Sequence, residues 1–191
     1  MLAPDIGGLR PLIDDWCARL AAEHGWAVCA PEPFPGREHL ALEDRLASVA
    51  QLDDAAVLAD LRAAADVTGA EPVGVLGFCM GGMFALKAAA TGRFDGAVSF
   101  YGMIRTPEAW RRPDRADPLD AVAADACPVL AFCGTADPWL PTADIDALEA
   151  AGATVVRYEG ADHGFAHDPH RPAHRPDDAA DAWRQTVDFL R

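Results

Sequence analysis

Blocks of apolar and polar residues follow one another along the chain and predict strands and helices in alternation. Short apolar runs predict buried β-strands at 26–30, 73–77, 97–101, 128–133 and 154–158. Segments with apolar residues at helical spacing predict helices at 12–21, 40–49, 54–67, 83–90, 142–151 and 178–190. The proline-containing stretch 102–126 is predicted to be a long connection.

This alternation favours an α/β fold. The predicted strands are apolar on both faces, which is typical of a mostly parallel sheet covered by helices on both sides. The length of 191 residues predicts a single domain. In such sheets functional groups gather at the carboxyl ends of the strands.

Composition and charge narrow the classes of function. The chain has 30 acidic and 16 basic residues, a net charge of -14 that disfavours nucleic acid as a partner. Its five cysteines include no Cys-x-x-Cys pair, which favours reduced thiols and a cytoplasmic protein. No apolar run is long enough to predict a membrane span, and we expect a monomer that acts on a small molecule.

The segment around Cys79 carries the strongest chemical signal. Cys79 lies between Gly77 and Gly81, after a predicted strand and before a predicted helix. This is the pattern of a nucleophile elbow, with Cys in place of the usual Ser. Its strained turn requires glycines on either side, and the following helix N-terminus favours a thiolate. The alternative is a buried cysteine that serves only as a small apolar side chain.

Two further residues follow predicted strands, Asp137 after 128–133 and His163 after 154–158. The chain order of nucleophile, acid and histidine is that of the α/β hydrolases, so we predict a catalytic triad. His163 would be the base for Cys79, and Asp137 would orient it. Asp137 could instead be a turn residue, His163 an ordinary loop histidine, and Asp162 the acid. No metal site is predicted, because prolines interrupt the histidine-rich segment after His163.

Three segments and the last helix resemble the dienelactone hydrolase family. They are Gly-Phe-Cys-Met-Gly-Gly (77–82), Cys-Gly-Thr-Ala-Asp-Pro (133–138) and Ala-Asp-His-Gly-Phe (161–165). The resemblance implies an α/β-hydrolase fold and hydrolysis of a small ester or lactone through a thiol ester, without a cofactor. The segment 4–8 resembles a family loop, by which Asp5 would contact the nucleophile. The backbone N–H groups of Ile6 and Met80 would then form the oxyanion hole.

The sequence identifies the substrate less clearly than it identifies the class of reaction. Family members that act on dienelactone hold its carboxylate with arginines, one of them four residues after the catalytic histidine. That position is His167 here, so we expect little preference for anionic substrates. Aromatic residues that follow strands could line an apolar pocket together with His167, or simply pack in the core: Phe78, Tyr101, Trp139 and Phe165. The alternative function is a weak or inactive hydrolase homologue that binds a small molecule.

The beginning of the chain is short for this fold. In the family the loop matching 4–8 follows a central strand, yet only three residues precede Pro4. We therefore expect an N-terminally incomplete domain that is marginally stable and poorly active. Residues 1–3 should form a strand stub, with Leu2 buried between 26–30 and 73–77.

Overall fold

The computed structural model describes residues 1–113 and 115–191. Its five strands form one sheet in the order β1-β2-β3-β4-β5, and every neighbouring pair is parallel. The strands are β1 (Leu2–Ala3), β2 (Gly74–Phe78), β3 (Gly96–Phe100), β4 (Val129–Gly134) and β5 (Thr154–Tyr158). The parallel sheet predicted from the sequence is therefore confirmed, and four predicted strands agree with β2 to β5 to within one residue.

The helices lie between these strands and at the end of the chain. Among the described residues, none is long and apolar enough to cross a membrane. The α-helices are α1 (Pro11–His24), α2 (Leu42–Ser48), α3 (Asp54–Thr68), α4 (Met80–Ala88), α5 (Pro118–Asp125), α6 (Thr142–Ala150) and α7 (Pro176–Phe189). Short 3-10 turns lie at Val49–Gln51, Ala89–Thr91 and Glu108–Trp110.

The prediction of a strand at 26–30 is wrong. This segment has no regular secondary structure, and the N–H of Leu2 donates to the carbonyl of Cys29 at 3.0 Å. The neighbouring β1 has two residues, so it offers few backbone groups for a ladder. On its other side Leu2 pairs with Leu76, and it is fully buried, as expected for the strand stub.

The long connection predicted at 102–126 contains a helix, α5, that the sequence reading missed. Pro118 occupies its first position, where a proline costs no hydrogen bond and its fixed φ suits a helix. Leu119 and Val122 are buried, and α5 packs beside α4. Pro118 therefore begins a helix in a segment whose prolines predict only an irregular connection.

Helices cover both faces of the sheet. Gly77 and Phe78 are consecutive in β2, so they face opposite sides. A Cβ added to Gly77 would lie 2.2 Å from the carbonyl oxygen of Gly81, which places α4 on that side. Phe78 packs on the other side against Trp16 of α1 and Trp183 of α7, with ring centroids 6.4 and 5.8 Å away.

The contact between β2 and α4 predicts a steric effect on stability. We expect Gly77→Ala to lower the free energy of unfolding by about 3 kcal/mol, because the added Cβ meets backbone that cannot move independently. The matched control is Gly96→Ala in β3, where the nearest atom belongs to the ring of Phe189 at 3.2 Å. That ring can shift, so the control should change stability by less than about 1 kcal/mol. Urea denaturation measures both, and equal losses would contradict this account.

Candidate active site

Cys79 sits on a sharp turn between β2 and α4. Its φ of 55° and ψ of -118° lie in a region that non-glycine residues rarely adopt. Its N–H donates to the carbonyl of Phe100 at 3.0 Å, and its carbonyl accepts from Met83 at 2.9 Å. The strained turn predicted for a nucleophile elbow is thus present, with the half-buried thiol at the N-terminus of α4.

The glycines of the elbow permit close backbone crossings. A Cβ on Gly81 would lie 2.1 Å from the carbonyl oxygen of Ala3, and one on Gly82 would lie 2.9 Å from that of Phe100. Real Cβ atoms do not approach other atoms as closely as 2.1 Å. The start of α4 therefore lies directly against β1 and β3, which brings the loop after β1 beside Cys79.

The side chains of Asp137 and His163 meet at the same edge of the sheet. Asp137 Oδ2 is 2.7 Å from His163 Nδ1, and Asp137 Oδ1 accepts the N–H of Trp139 at 2.8 Å. The Asp137 side chain is fully buried, whereas that of His163 is 12% exposed. Asp137 can therefore hold one ring nitrogen of His163 while the ring stays accessible to a substrate.

The electrostatics of His163 favour its charged form. Burial lowers its pKa, but hydrogen bonds to Asp137 and to Cys79 and the charges of both residues outweigh burial and raise the pKa to about 10. An imidazolium that contacts a thiol favours the thiolate. The structure thus brings Cys79, His163 and Asp137 together in the order that the sequence predicts.

Two backbone N–H groups are available to a ligand, that of Met80 next to Cys79 and that of Ile6 in the turn after β1. Within the described residues, neither the N–H of Ile6 nor that of Met80 has a hydrogen-bond acceptor. Met80 begins α4, where the first-turn N–H groups lack intrahelical partners. The next N–H groups after Ile6 are satisfied within the turn, because Gly7 and Gly8 both donate to Asp5.

Asp5 binds partners that the sequence reading did not foresee. Its two oxygens accept from the guanidinium of Arg10 at 2.6 and 2.8 Å, and Oδ2 is also 2.7 Å from His167 Nε2. On the far side of that ring, His167 Nδ1 is 2.6 Å from the hydroxyl of Tyr101. Burial raises the pKa of Asp5, but the hydrogen bonds and charges of His167 and Arg10 outweigh it and lower the pKa well below its usual range.

Four of the five residues predicted to line a pocket lie in a layer beneath the surface. The side chains of Phe78, Tyr101, Phe165 and His167 are fully buried in mutual aromatic contacts, whereas Trp139 is 45% exposed. Phe78 faces α1 and α7 because of strand alternation, and His167 is held inward by its two hydrogen bonds. These four residues therefore support the site and do not form its walls.

The accessible space beside His163 is an open groove of about 620 Å³. Trp139, Asp162 and Arg171 border it together with His163. Asp162 is exposed, and its carboxylate accepts the backbone N–H of His163 at 2.6 Å. It is Asp137 that binds the imidazole of His163, and Asp162 binds only the backbone.

The comparisons with known proteins decide the family. The model of the dienelactone hydrolase family matches residues 1–191. The chain belongs to the dienelactone hydrolase family. The resemblance inferred from the elbow and the segments around Asp137 and His163 is therefore confirmed, and with it the α/β-hydrolase fold.

Two relatives and one solved structure match this chain over most of their own length. A carboxymethylenebutenolidase of Rhodococcus opacus is 34% identical over 100% of this chain and 79% of its own. A "Probable 2-oxo-3-(5-oxofuran-2-ylidene)propanoate lactonase" of Bradyrhizobium is 32% identical over 100% of this chain and 82% of its own. The crystal structure of a "Putative Dienelactone Hydrolase" from Klebsiella pneumoniae superposes with a TM-score of 0.84, at 28% identity, over 99% of this chain and 84% of its own.

The raised pKa of His163 predicts a pH-dependent contribution to stability in this dienelactone hydrolase family member. A group whose pKa rises on folding stabilises the fold fully below its ordinary pKa of 6.5, and loses that effect as pH rises through about 10. The stability difference between the wild type and Asp137→Asn should therefore be largest near pH 6 and smaller near pH 10. Urea midpoints across this range measure it, with exposed His170→Gln as the control. A difference that does not change with pH would contradict the charged state of His163.

Proposed function

We propose that this protein hydrolyses a small ester or lactone with Cys79 as the nucleophile, through a thiol-ester intermediate. The observation that carries the proposal is the geometry at the strained elbow, with Asp137 at 2.7 Å from His163 and with Cys79 helping to raise the pKa of His163. The names of the relatives, carboxymethylenebutenolidase and propanoate lactonase, support this class of substrate.

The first half-reaction forms the thiol ester. The Cys79 thiolate adds to the substrate carbonyl, and the new oxyanion accepts hydrogen bonds from the N–H groups of Ile6 and Met80. The carbonyl re-forms as the ester C–O bond breaks, and the leaving alkoxide takes a proton from the His163 imidazolium. With a lactone, the alcohol produced stays attached to the acyl group because the ring has opened.

The second half-reaction returns the enzyme to its resting form. His163, now neutral, takes a proton from a water molecule that attacks the thiol-ester carbonyl. The C–S bond then breaks and releases a carboxylic acid and the Cys79 thiolate, which again faces the imidazolium. Asp137 keeps the Nδ1–H of His163 fixed throughout, so that Nε2 exchanges protons with the reacting groups.

The groove suggests a flat substrate with a negative charge. Trp139 is stacked on Trp110 with ring centroids 5.8 Å apart, and its own centroid lies 6.4 Å from that of His163. The exposed indole can support a planar acyl group. Arg171 also borders the groove and has no ion-pair partner among the described residues, whereas Arg175 pairs with Asp178 at 2.7 Å. Arg171 is therefore available to a carboxylate, which argues against the expectation of little anion preference based on His167 and the net charge.

Cys79 should react with iodoacetamide before Cys17, Cys127 and Cys133, and the loss of activity should follow its labelling. Burial raises the pKa of Cys133 to about 12 and also raises the pKa values of Cys17 and Cys127, which leaves those thiols less reactive. Peptide mapping after limited labelling measures the order. Cys79→Ala should abolish hydrolysis of short p-nitrophenyl esters, and Cys127→Ala should not. Activity that survives Cys79→Ala would reject the proposed nucleophile.

Arg171 should determine the preference between an acid and its ester. We expect Arg171→Gln to raise KM for a carboxylate-bearing dienelactone about tenfold and to leave KM for its methyl ester nearly unchanged, because a hydrogen-bonded charge pair contributes about 1.5–3 kcal/mol at most. The control is Arg175→Gln, which should affect both substrates alike. Equal KM changes for both substrates in Arg171→Gln would show that the charge of the substrate is not recognised there.

A further inference from the structure

A second carboxylate–imidazole–hydroxyl chain lies under the active site. Asp5, His167 and Tyr101 are joined by hydrogen bonds of 2.7 and 2.6 Å, and all three are buried, His167 and Tyr101 completely. Arg10 closes the outer end through two hydrogen bonds to Asp5. We call Arg10, Asp5, His167 and Tyr101 the buried relay.

Hydrogen-bond chemistry fixes the direction of the relay at Asp5. The Asp5 carboxylate can only accept, so His167 Nε2 carries a hydrogen and donates to it. When the imidazole is neutral, Nδ1 is an acceptor and Tyr101 donates its O–H to it. Burial, followed by the charges of Asp5 and Cys79, raises the pKa of Tyr101 well above its usual value, so the phenol keeps its proton.

The relay joins loops that follow three different strands. Asp5 is in the turn after β1, next to Ile6, and Tyr101 directly follows β3 with a φ of 41° that is unusual for a non-glycine residue. The ring of Tyr101 packs edge-on against that of His163, with centroids 5.3 Å apart. The turn after β1 is thus connected through side chains to the loop that carries the catalytic base.

This connection fixes the turn after β1 from a second side. Two residues of ladder hold the turn from one side, whereas Asp5 is held by Arg10, His167 and the N–H of Gly7. An oxyanion donor must keep its place to within a fraction of an ångström to be effective.

We propose that the buried relay is a positioning device that holds the backbone N–H of Ile6 where the oxyanion develops. The inference rests on the proposed function, because an oxyanion hole has a role only in acyl transfer. Tyr101, His167, Asp5 and Arg10 are positioning residues in this account, since the side-chain hydrogen bonds that join them run to one another and not to Cys79 or His163.

Two reactions of Cys79 separate this role from others. Ester hydrolysis passes through an oxyanion, whereas alkylation by iodoacetamide is a displacement at carbon that needs only the thiolate. Tyr101→Phe removes the hydroxyl and keeps the ring contacts with His163 and Phe165. We expect kcat for a p-nitrophenyl ester to fall about 10- to 100-fold, with KM and the alkylation rate of Cys79 changed less than about threefold.

A second variant and a matched control accompany this measurement. Arg10 has a 29% exposed side chain, so Arg10→Gln disturbs the relay at its surface end and should give the same pattern with a smaller loss. Tyr158→Phe changes the only other tyrosine and removes a 2.8 Å hydrogen bond to Asp181, outside the relay. It should leave kcat unchanged.

The outcomes are distinct. A fall in kcat without a fall in alkylation supports the relay as the support of Ile6. An unchanged kcat in both relay variants, or equal losses of kcat and alkylation, would overturn it. Wild-type turnover that persists in Cys79→Ala would reject the proposed function, and this inference with it.

Discussion

The active site depends on a steric constraint, the absence of Cβ atoms where the start of α4 crosses its neighbours. Gly77, Gly81 and Gly82 each allow a backbone approach that any side chain would prevent. Because of these close approaches, the N-terminus of α4 packs directly against β1 and β3. Cys79 lies at this crossing with a φ of 55°. The same contact brings the turn after β1 close to the thiol. The position of the proposed nucleophile and that of its proposed oxyanion hole therefore have a common origin.

Those features that depend on local pattern could be predicted from the sequence. The Gly-x-Cys-x-Gly segment specifies its own turn, because a strained turn requires glycine at those positions. Asp137 and His163 follow apolar runs that predict strands of one parallel sheet, and parallel strands bring their carboxyl ends to one edge. Local sequence was therefore enough to place the three residues of the triad near one another.

The remaining features depend on partners distant in sequence. The segment 26–30 has the apolar pattern of a strand, but a strand also needs a neighbour, and β1 offers two residues. Tyr101 and His167 are 66 residues apart, and His167 and Asp5 are 162 apart. Each was named as a site residue for a separate reason, as pocket wall or as contact of the nucleophile. Nothing in the local pattern indicates that they bind one another.

Two histidines in one short loop show why hydrogen bonding alone does not identify a catalytic base. His163 and His167 each lie 2.7 Å from a buried carboxylate. Each also has a second partner, Cys79 for His163 and Tyr101 for His167. They differ in access and in that partner. The His163 side chain is 12% exposed beside the groove and contacts a thiol, which becomes a strong nucleophile when it loses its proton. The His167 side chain is 1% exposed and contacts a phenol that burial keeps protonated. Only His163 is therefore accessible from the groove, as the proposed catalytic base must be, whereas the ring of His167 is enclosed by its partners.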